Sequence, residues 1–322
     1  MAWSLDSFEI DTRDLTETTI TQVHSTRTGS VISRWCSTLS TIDVLPFNQP
    51  VGPVHILTRD KNEKDFFHLI FPDNTYQYLA DQTNLYAWKC RDVKPDTKWT
   101  AVTADKIQAF IGLHILMSVI PLPAYKDYWT RDNLCEIPAF TKIMTRLRFK
   151  KILQYFHCND VENPPRGDPV HDPIHHVRPI FDVVQQNLHD NYNLHKSVSV
   201  DEARIPFRGC LSFRQYLPAK PCKFGIKVWE LPDSYNGYVY KMQMYTGRSE
   251  NGTREERLAS RVVKDLTRCL VGKNHHVYMD NFCTSPELFV KLSADNICVT
   301  GTCRVNRKGF CQHMLIPLKW WK

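Results

Sequence analysis

The sequence predicts an α/β fold, a mixed sheet with flanking helices preceded by a mainly helical region. Three observations carry this. Residues 197–304 read as strands and helices in the order β-β-β-α-β-α-β. Residues 66–156 instead place apolar and aromatic residues at helical spacings. Between the two lies 159–179, which holds Pro164, Pro165, Pro169, Pro173 and Pro179 and leaves no room for a regular element. With 322 residues the chain is long enough for two domains of ordinary size. The expected boundaries are a Ser/Thr-rich disordered tail over 1–45, a helical region over 46–195 including the Pro-rich loop 159–179, and a sheet-bearing region over 196–322.

The elements follow in order. Tyr78, Leu79, Leu85 and Tyr86 mark a helical face within 66–89. Thr103 fits the N-cap of a helix running to about Ile120, where Pro121 and Pro123 stop it. A helix over 140–156 carries Ile143, Leu147, Ile152 and Phe156 on one side, and a short helix covers 180–191. SVSVDEARIPF (197–207) alternates as a strand, GIKVWELPD (225–233) is a second run, and Tyr235-Asn236-Gly237 turns into a third (235–247). Leu258, Val262, Leu266 and Leu270 repeat every four residues through a helix over 253–270. HHVYMDN (275–281) is the next strand, a helix from Ser285 to Ala294 has Pro286 in its first turn, and ICVTGTCR (297–304) is the last strand.

Composition excludes several classes. A hydrophobic content of 42% with 23% charged residues is globular. The longest apolar run, 107–120, is broken by Gln108, Gly112, His114 and Ser118, too short and too polar for a membrane span. No basic-then-apolar leader opens the chain. Eleven scattered cysteines without a CxxC pair fit a reducing compartment, and Cys298, Cys303, Cys311 and His313 lack zinc-site spacing. The net charge of +7 is uneven: residues 1–190 sum to −3 and residues 191–322 to +10. The basic part suggests a polyanionic partner, with an ordinary Lys-rich solvated surface as the plainer reading.

Two acids stand where strands end. Asp201 follows 197–200 and Asp280 follows 277–279. If the fourth strand returns beside the first, these carboxylates meet. Adjacent ionised acids repel unless a cation or a basic partner lies between them. Oxygen donors of this kind suit Mg²⁺ or Mn²⁺. The competing reading makes them ordinary strand-end acids paired with Arg204 and Arg208.

Several stretches resemble the piggyBac transposase family. They are VSVDEARIPFRGCLSFRQYLPAKPCKFGIKVW (198–229), GYVYKMQMYTGR (237–248) and VYMDNFCTSPELFVKLSADNICVTGTCRVNRKG (277–309). DFFHLIFPDNTYQYLADQTNLYAWK (65–89) and RLRFKKILQYFHCND (146–160) are similar to that family's N-terminal dimerisation and DNA-binding region. The resemblance runs in order over roughly 45–310. It implies a ribonuclease H-like mixed sheet carrying a DDE/DDD metal triad, with Asp201 and Asp280 as the first two catalytic, metal-holding acids. It implies Mg²⁺-dependent cut-and-paste transposition at TTAA sites, DNA as partner, a homodimer, no membrane and a nuclear location. Arg208, Lys220, Lys223, Lys227, Arg304, Arg307 and Lys308 are the implied DNA contacts.

The sequence departs from the family pattern after Asp280, where the acids are Glu287 and Asp295 and no motif like GGVDxxDQ follows. Glu202 faces away from its strand neighbour Asp201, and Glu287 sits inside a helix. The expectation is a C-terminally truncated relative without the third acid or the Cys-rich zinc domain, holding Mg²⁺ weakly and inactive in strand transfer. The alternative is a domesticated interaction and dimerisation module without catalysis or DNA binding. Tyr216, Phe213 and Trp229 interleave with the basic residues, either as core or as base-stacking groups.

Overall fold

The computed structural model describes residues 46–310, apart from 56, 59, 94–95, 133–135, 166, 217–222, 248–257 and 305. The stretch read as a tail, 1–45, thus lies outside the described residues. The helical part opens with strand β1 (Gly52–Pro53), α1 (Glu63–Ile70) and α2 (Asn74–Val93). It continues through α3 (Ala104–Val119), α4 (Pro138–Ile143), α5 (Arg146–Tyr155) and α6 (Arg178–Asp190). Asn62 caps α1 in a reciprocal box, its side chain accepting from the Asp65 amide while the Asp65 carboxylate accepts from the Asn62 amide. Thr103 caps α3 as its position predicts. The orphan carbonyls at the end of α3 are met by Tyr128, whose hydroxyl donates to Ile120 O at 2.7 Å and accepts from the Leu122 amide at 2.8 Å.

The single helix expected over 140–156 is two. Met144 is extended, and Thr145 restarts the helix by accepting from the Arg148 amide at 3.3 Å. The break turns Phe140, Phe149 and Ile152 into one core with Leu79, Ile107 and Leu113. It also commits part of the RLRFKK basic cluster. The Arg148 guanidinium donates to Thr100 O and Ala101 O, and Lys151 is ion-paired with Asp96. Lys151 and the Tyr155 hydroxyl together hold the Asp96 carboxyl down at about 2. Arg146 and Lys150 remain exposed.

The second core is built on a mixed sheet. Strand β2 (Tyr192–Asn193) pairs antiparallel with β1 and leads into β3 (Ser197–Pro206). Then come β4 (Gln215–Tyr216), β5 (Phe224–Pro232), β6 (Val239–Met244), helix α7 (Leu258–Thr267), β7 (His276–Met279), α8 (Pro286–Ala294) and β8 (Cys298–Gly301). The order across the sheet is β4-β5-β3-β7-β8, with β6 also paired to β5. Strands β3, β7 and β8 are parallel, whereas β5 runs against β3. The returning strand therefore lies beside the first, as expected. The short β4 and the β1–β2 pair carry no period-two signal in the sequence. The helix expected over 253–270 is α7 plus a 3-10 turn, Arg268–Leu270, its first residues lying outside the described ones.

Period-two alternation sorts β3. Val198 and Val200 are buried and pack with Trp229, Leu231, Val277 and Met279 against Val262, Leu266, Leu288 and Leu292 of α7 and α8. The opposite face carries Ser199, Asp201, Glu230 and Tyr278. At the start of β3 a polar knot pins the ladder. Asp233 is 0% exposed and accepts from the His195 amide (2.9 Å), His195 Nδ1 (2.8 Å) and the Tyr235 amide (2.9 Å). Burial raises its pKa, but these donors outweigh burial and leave it below the ordinary carboxylate value.

Because the Asp233 pKa is lowered, its stabilisation is complete above the ordinary carboxylate range and is lost as pH falls through the folded value. Asp233→Ala is expected to cost about 2–4 kcal/mol at pH 7, read by urea denaturation. The deficit relative to the unmodified chain should narrow on titration below about pH 4.

Candidate functional site

The site grows from the parallel pair β3–β7. Val200 pairs with Met279, so Asp201 and Asp280 each stand one residue beyond a paired couple. Neighbouring strands lie ~4.8 Å apart, which brings the two predicted acids together where the β3–β7 pairing ends. Asp280 follows the last residue of β7 as expected, but β3 runs on to Pro206 against β5, so Asp201 lies within its strand and not at the end. Both are exposed. Asp201 Oδ1 accepts from the Glu202 amide at 2.7 Å. Asp280 is held more tightly. Its Oδ1 accepts from the amides of Phe282 and Cys283 at 3.0 and 3.1 Å, and its carbonyl accepts from the Thr284 amide and hydroxyl. The turn fits because residue 301, ending β8, is glycine. A Cβ there would meet the Thr284 hydroxyl and would lie 2.8 Å from Met279 O.

A third acid, not foreseen, stands on the same line. Glu230 of β5 is directly opposite Asp201, and cross-strand partners share a face. Burial, followed by the Asp201 charge, raises the Glu230 pKa. No sequence signal reveals this pairing, since the register of β3 on β5 depends on the long excursion through β4. Glu202 and Glu287 do not join: Glu202 is ion-paired with Lys227, and Glu287 with Lys291 on α8. The nearby Cys283 thiol is buried, and burial together with Asp280 pushes its pKa up to about 12.

The basic residues divide. Arg304 Nε donates to Asn281 Oδ1 at 3.2 Å, and Arg307 Nη2 donates to Asn281 O and Phe282 O at 3.0 and 2.6 Å. The turn after β8 is thereby fastened to the residue following Asp280. Lys308 is exposed beside it, and Arg208 and Lys223 are exposed around β4 and β5. Lys220 lies outside the described residues. Lys227 is spent internally, with its ammonium on Glu202 and 3.7 Å from the Trp229 ring centroid. Trp229 and Phe213 are core, 2% and 6% exposed, whereas Tyr216 is 54% exposed.

Among the described residues, no three acid, His or Cys side chains already enclose a cation. The donor set still fits one. Mg²⁺ is commonly held by one or two carboxylates with water and substrate phosphate completing its shell, and two exposed acids just beyond the last β3–β7 pair offer that. A mixed sheet with paired acids where two parallel strands part, flanked by helices, is the ribonuclease H-like architecture of DDE-type transposases. The chain belongs to the Transposase IS4 family, whose profile matches residues 62–319, and is of the piggyBac type. It is 26% identical over 280 residues to human "PiggyBac transposable element-derived protein 5", covering 82% of this chain and 51% of that one. It is 25% identical to human "PiggyBac transposable element-derived protein 3", covering 85% and 45%. A cryo-EM structure of a piggyBac transposase synaptic complex with hairpin DNA superposes with a TM-score of 0.68 at 25% identity, over 82% of this chain and 55% of that one. The chain thus spans about half the length of these relatives. DDE-type transposases generally use a divalent metal.

Two outcomes are expected. Glu230→Gln removes the like charge facing Asp201, and without added cation it should raise stability at pH 7 by a few tenths of a kcal/mol. That gain should vanish as pH falls below the ordinary carboxylate range, where a raised-pKa acid no longer carries its charge. Gly301→Ala should cost about 1–3 kcal/mol in denaturant unfolding, because Thr284 and the Met279 carbonyl must shift.

Proposed function

We propose that this chain is a transposase-derived DNA-binding protein whose Asp201 and Asp280 hold Mg²⁺ or Mn²⁺ against a DNA phosphate. The observation that carries the reading is the pair of exposed acids just beyond the last β3–β7 pair, with Arg304 and Arg307 fastened to the turn that follows Asp280. The bound cation would supply Lewis-acid stabilisation of a phosphodiester oxygen. The chain's own residues orient and neutralise. The amides of Phe282 and Cys283 fix the Asp280 carboxylate. Arg208, Lys223 and Lys308, all exposed, take phosphates along the strand without reading sequence. TTAA-flanked ends as the preferred DNA, a homodimer formed by the helical region of 46–195 and a nuclear location belong to the same proposal.

Within these 322 residues no acid stands in the family's third motif. The proposal for these residues is cation-assisted DNA binding. The competing reading, an interaction module without DNA binding, draws on the internal use of Arg148, Lys151 and Lys227.

The test is fluorescence anisotropy on TTAA-flanked DNA between 50 and 200 mM salt, with and without Mg²⁺. Affinity should fall steeply with salt, and replacing Arg208, Lys223 and Lys308 with alanine should flatten the log–log slope by about 0.9 for each phosphate left unneutralised. Asp201→Asn should abolish the Mg²⁺-dependent part alone. A salt-independent affinity would falsify DNA binding and favour the interaction module. Robust hairpin or strand cleavage, lost in Asp201→Asn, would overturn a role confined to binding.

A further inference from the structure

We propose that Tyr216 and Phe224 form a stacking seat for an unpaired nucleobase, a role that depends on the DNA-binding reading above. The two residues are cross-strand partners in the β4–β5 ribbon, with ring centroids 4.8 Å apart and planes tilted by 39°. Tyr216 is 54% exposed and Phe224 39%. Exposed aromatic rings side by side are costly to keep in water and mark a binding surface when they form a group. Phe213 and Trp229 are buried and supply no such surface, and Phe207 is half-buried.

Charge selects the occupant. The Arg214 guanidinium lies 4.9 Å from the Phe224 centroid and is held there by donating to Arg208 O and Gly209 O at 2.8 and 2.9 Å. Arg208 and Lys223 are exposed on the same ribbon. Residues 207–225 contain no acid. Aromatic faces ringed by cations suit a chain of π-systems joined by phosphates. A duplex hides the faces of its bases, so the fitting partner is DNA with an unstacked base.

The seat is coupled to the cation site. Gly225 pairs with both Pro206 of β3 and Gln215 of β4, so the ribbon extends the ladder that carries Asp201. A Cβ at Gly225 would lie 2.7 Å from Ile205 O, so glycine is what permits this approach. Residue 206 is five positions from Asp201, ~16 Å along the strand at ~3.3 Å per residue.

The experiment uses the full chain and two probes, a blunt TTAA-containing duplex and the same duplex with a single-stranded overhang carrying 5-iodo-deoxyuridine. In the unaltered chain, ultraviolet cross-linking from the overhang should map to Tyr216 or Phe224. Tyr216→Ala should weaken overhang binding about tenfold while leaving the blunt duplex within twofold and the salt slope unchanged. Tyr216→Trp should restore the overhang affinity. Cross-links elsewhere, or equal weakening on both probes, would overturn the seat while leaving DNA binding intact. Failure of the unaltered chain to bind either probe would overturn the DNA-binding reading, and the seat with it.

Discussion

Strand β3 has a hydrogen-bonded neighbour on each side, antiparallel β5 and parallel β7, and its period of two governs what both neighbours present. Val198 and Val200 go into the core beside Leu231, Val277 and Met279. Asp201 then has to face the other way, on a line with Glu230. A one-residue slip would bury Asp201 and expose the valines, with an uncompensated carboxylate in the core. The Asp233 knot opposes such a slip. Its buried carboxylate binds His195 just before β3, and the Ser234 amide donates to Ser197 O at 3.0 Å. The polar knot at the start of the strand thus helps to hold Asp201, midway along it, in register.

After β7, one turn does two jobs. Its backbone amides are used on the Asp280 carboxylate, and Asn281 and Phe282 collect the guanidinium groups of Arg304 and Arg307. Positioning of the acid and of the basic groups is therefore a single structural property. Gly301 is the point of tolerance, since any side chain there presses on Thr284 and on the end of β7. This coupling explains why a residue with no chemistry of its own stands so near the site.

What the sequence made legible was local. The N-cap Thr103 follows from residue type and from the apolar pattern behind it, and for α8 residue type leaves Thr284 or Ser285, of which Ser285 is the cap. Alternation in 197–207 separates Val198 and Val200 from Asp201, and the helix between the third and fourth strands implies a parallel return. The pairings that depend on distant geometry were hidden. Glu230 meets Asp201 only through a register set beyond residues 207–223. Lys227 reads as a surface lysine, yet its strand parity places it on the side of Glu202 and Trp229. Met144 breaks a continuous helical pattern because Phe140 and Phe149 pack better from two short helices than from one.

Formal charge along the chain also misleads unless it is placed in space. Of the 21 basic residues in 191–322, Lys227 is paired with Glu202, Arg261 with Asp265 and Lys291 with Glu287, so the excess of +10 rests on the others. The last two are i,i+4 pairs on α7 and α8, the helices that cover the buried face of the sheet. Arg208, Arg214 and Lys223 lie on the β4–β5 side of the acids, and Arg304, Arg307 and Lys308 on the β8 side. These groups bracket Asp201 and Asp280 across the sheet. A field shaped this way draws a polyanion across the carboxylates rather than away from them, since flanking cations offset the repulsion that two bare acids exert on a phosphate.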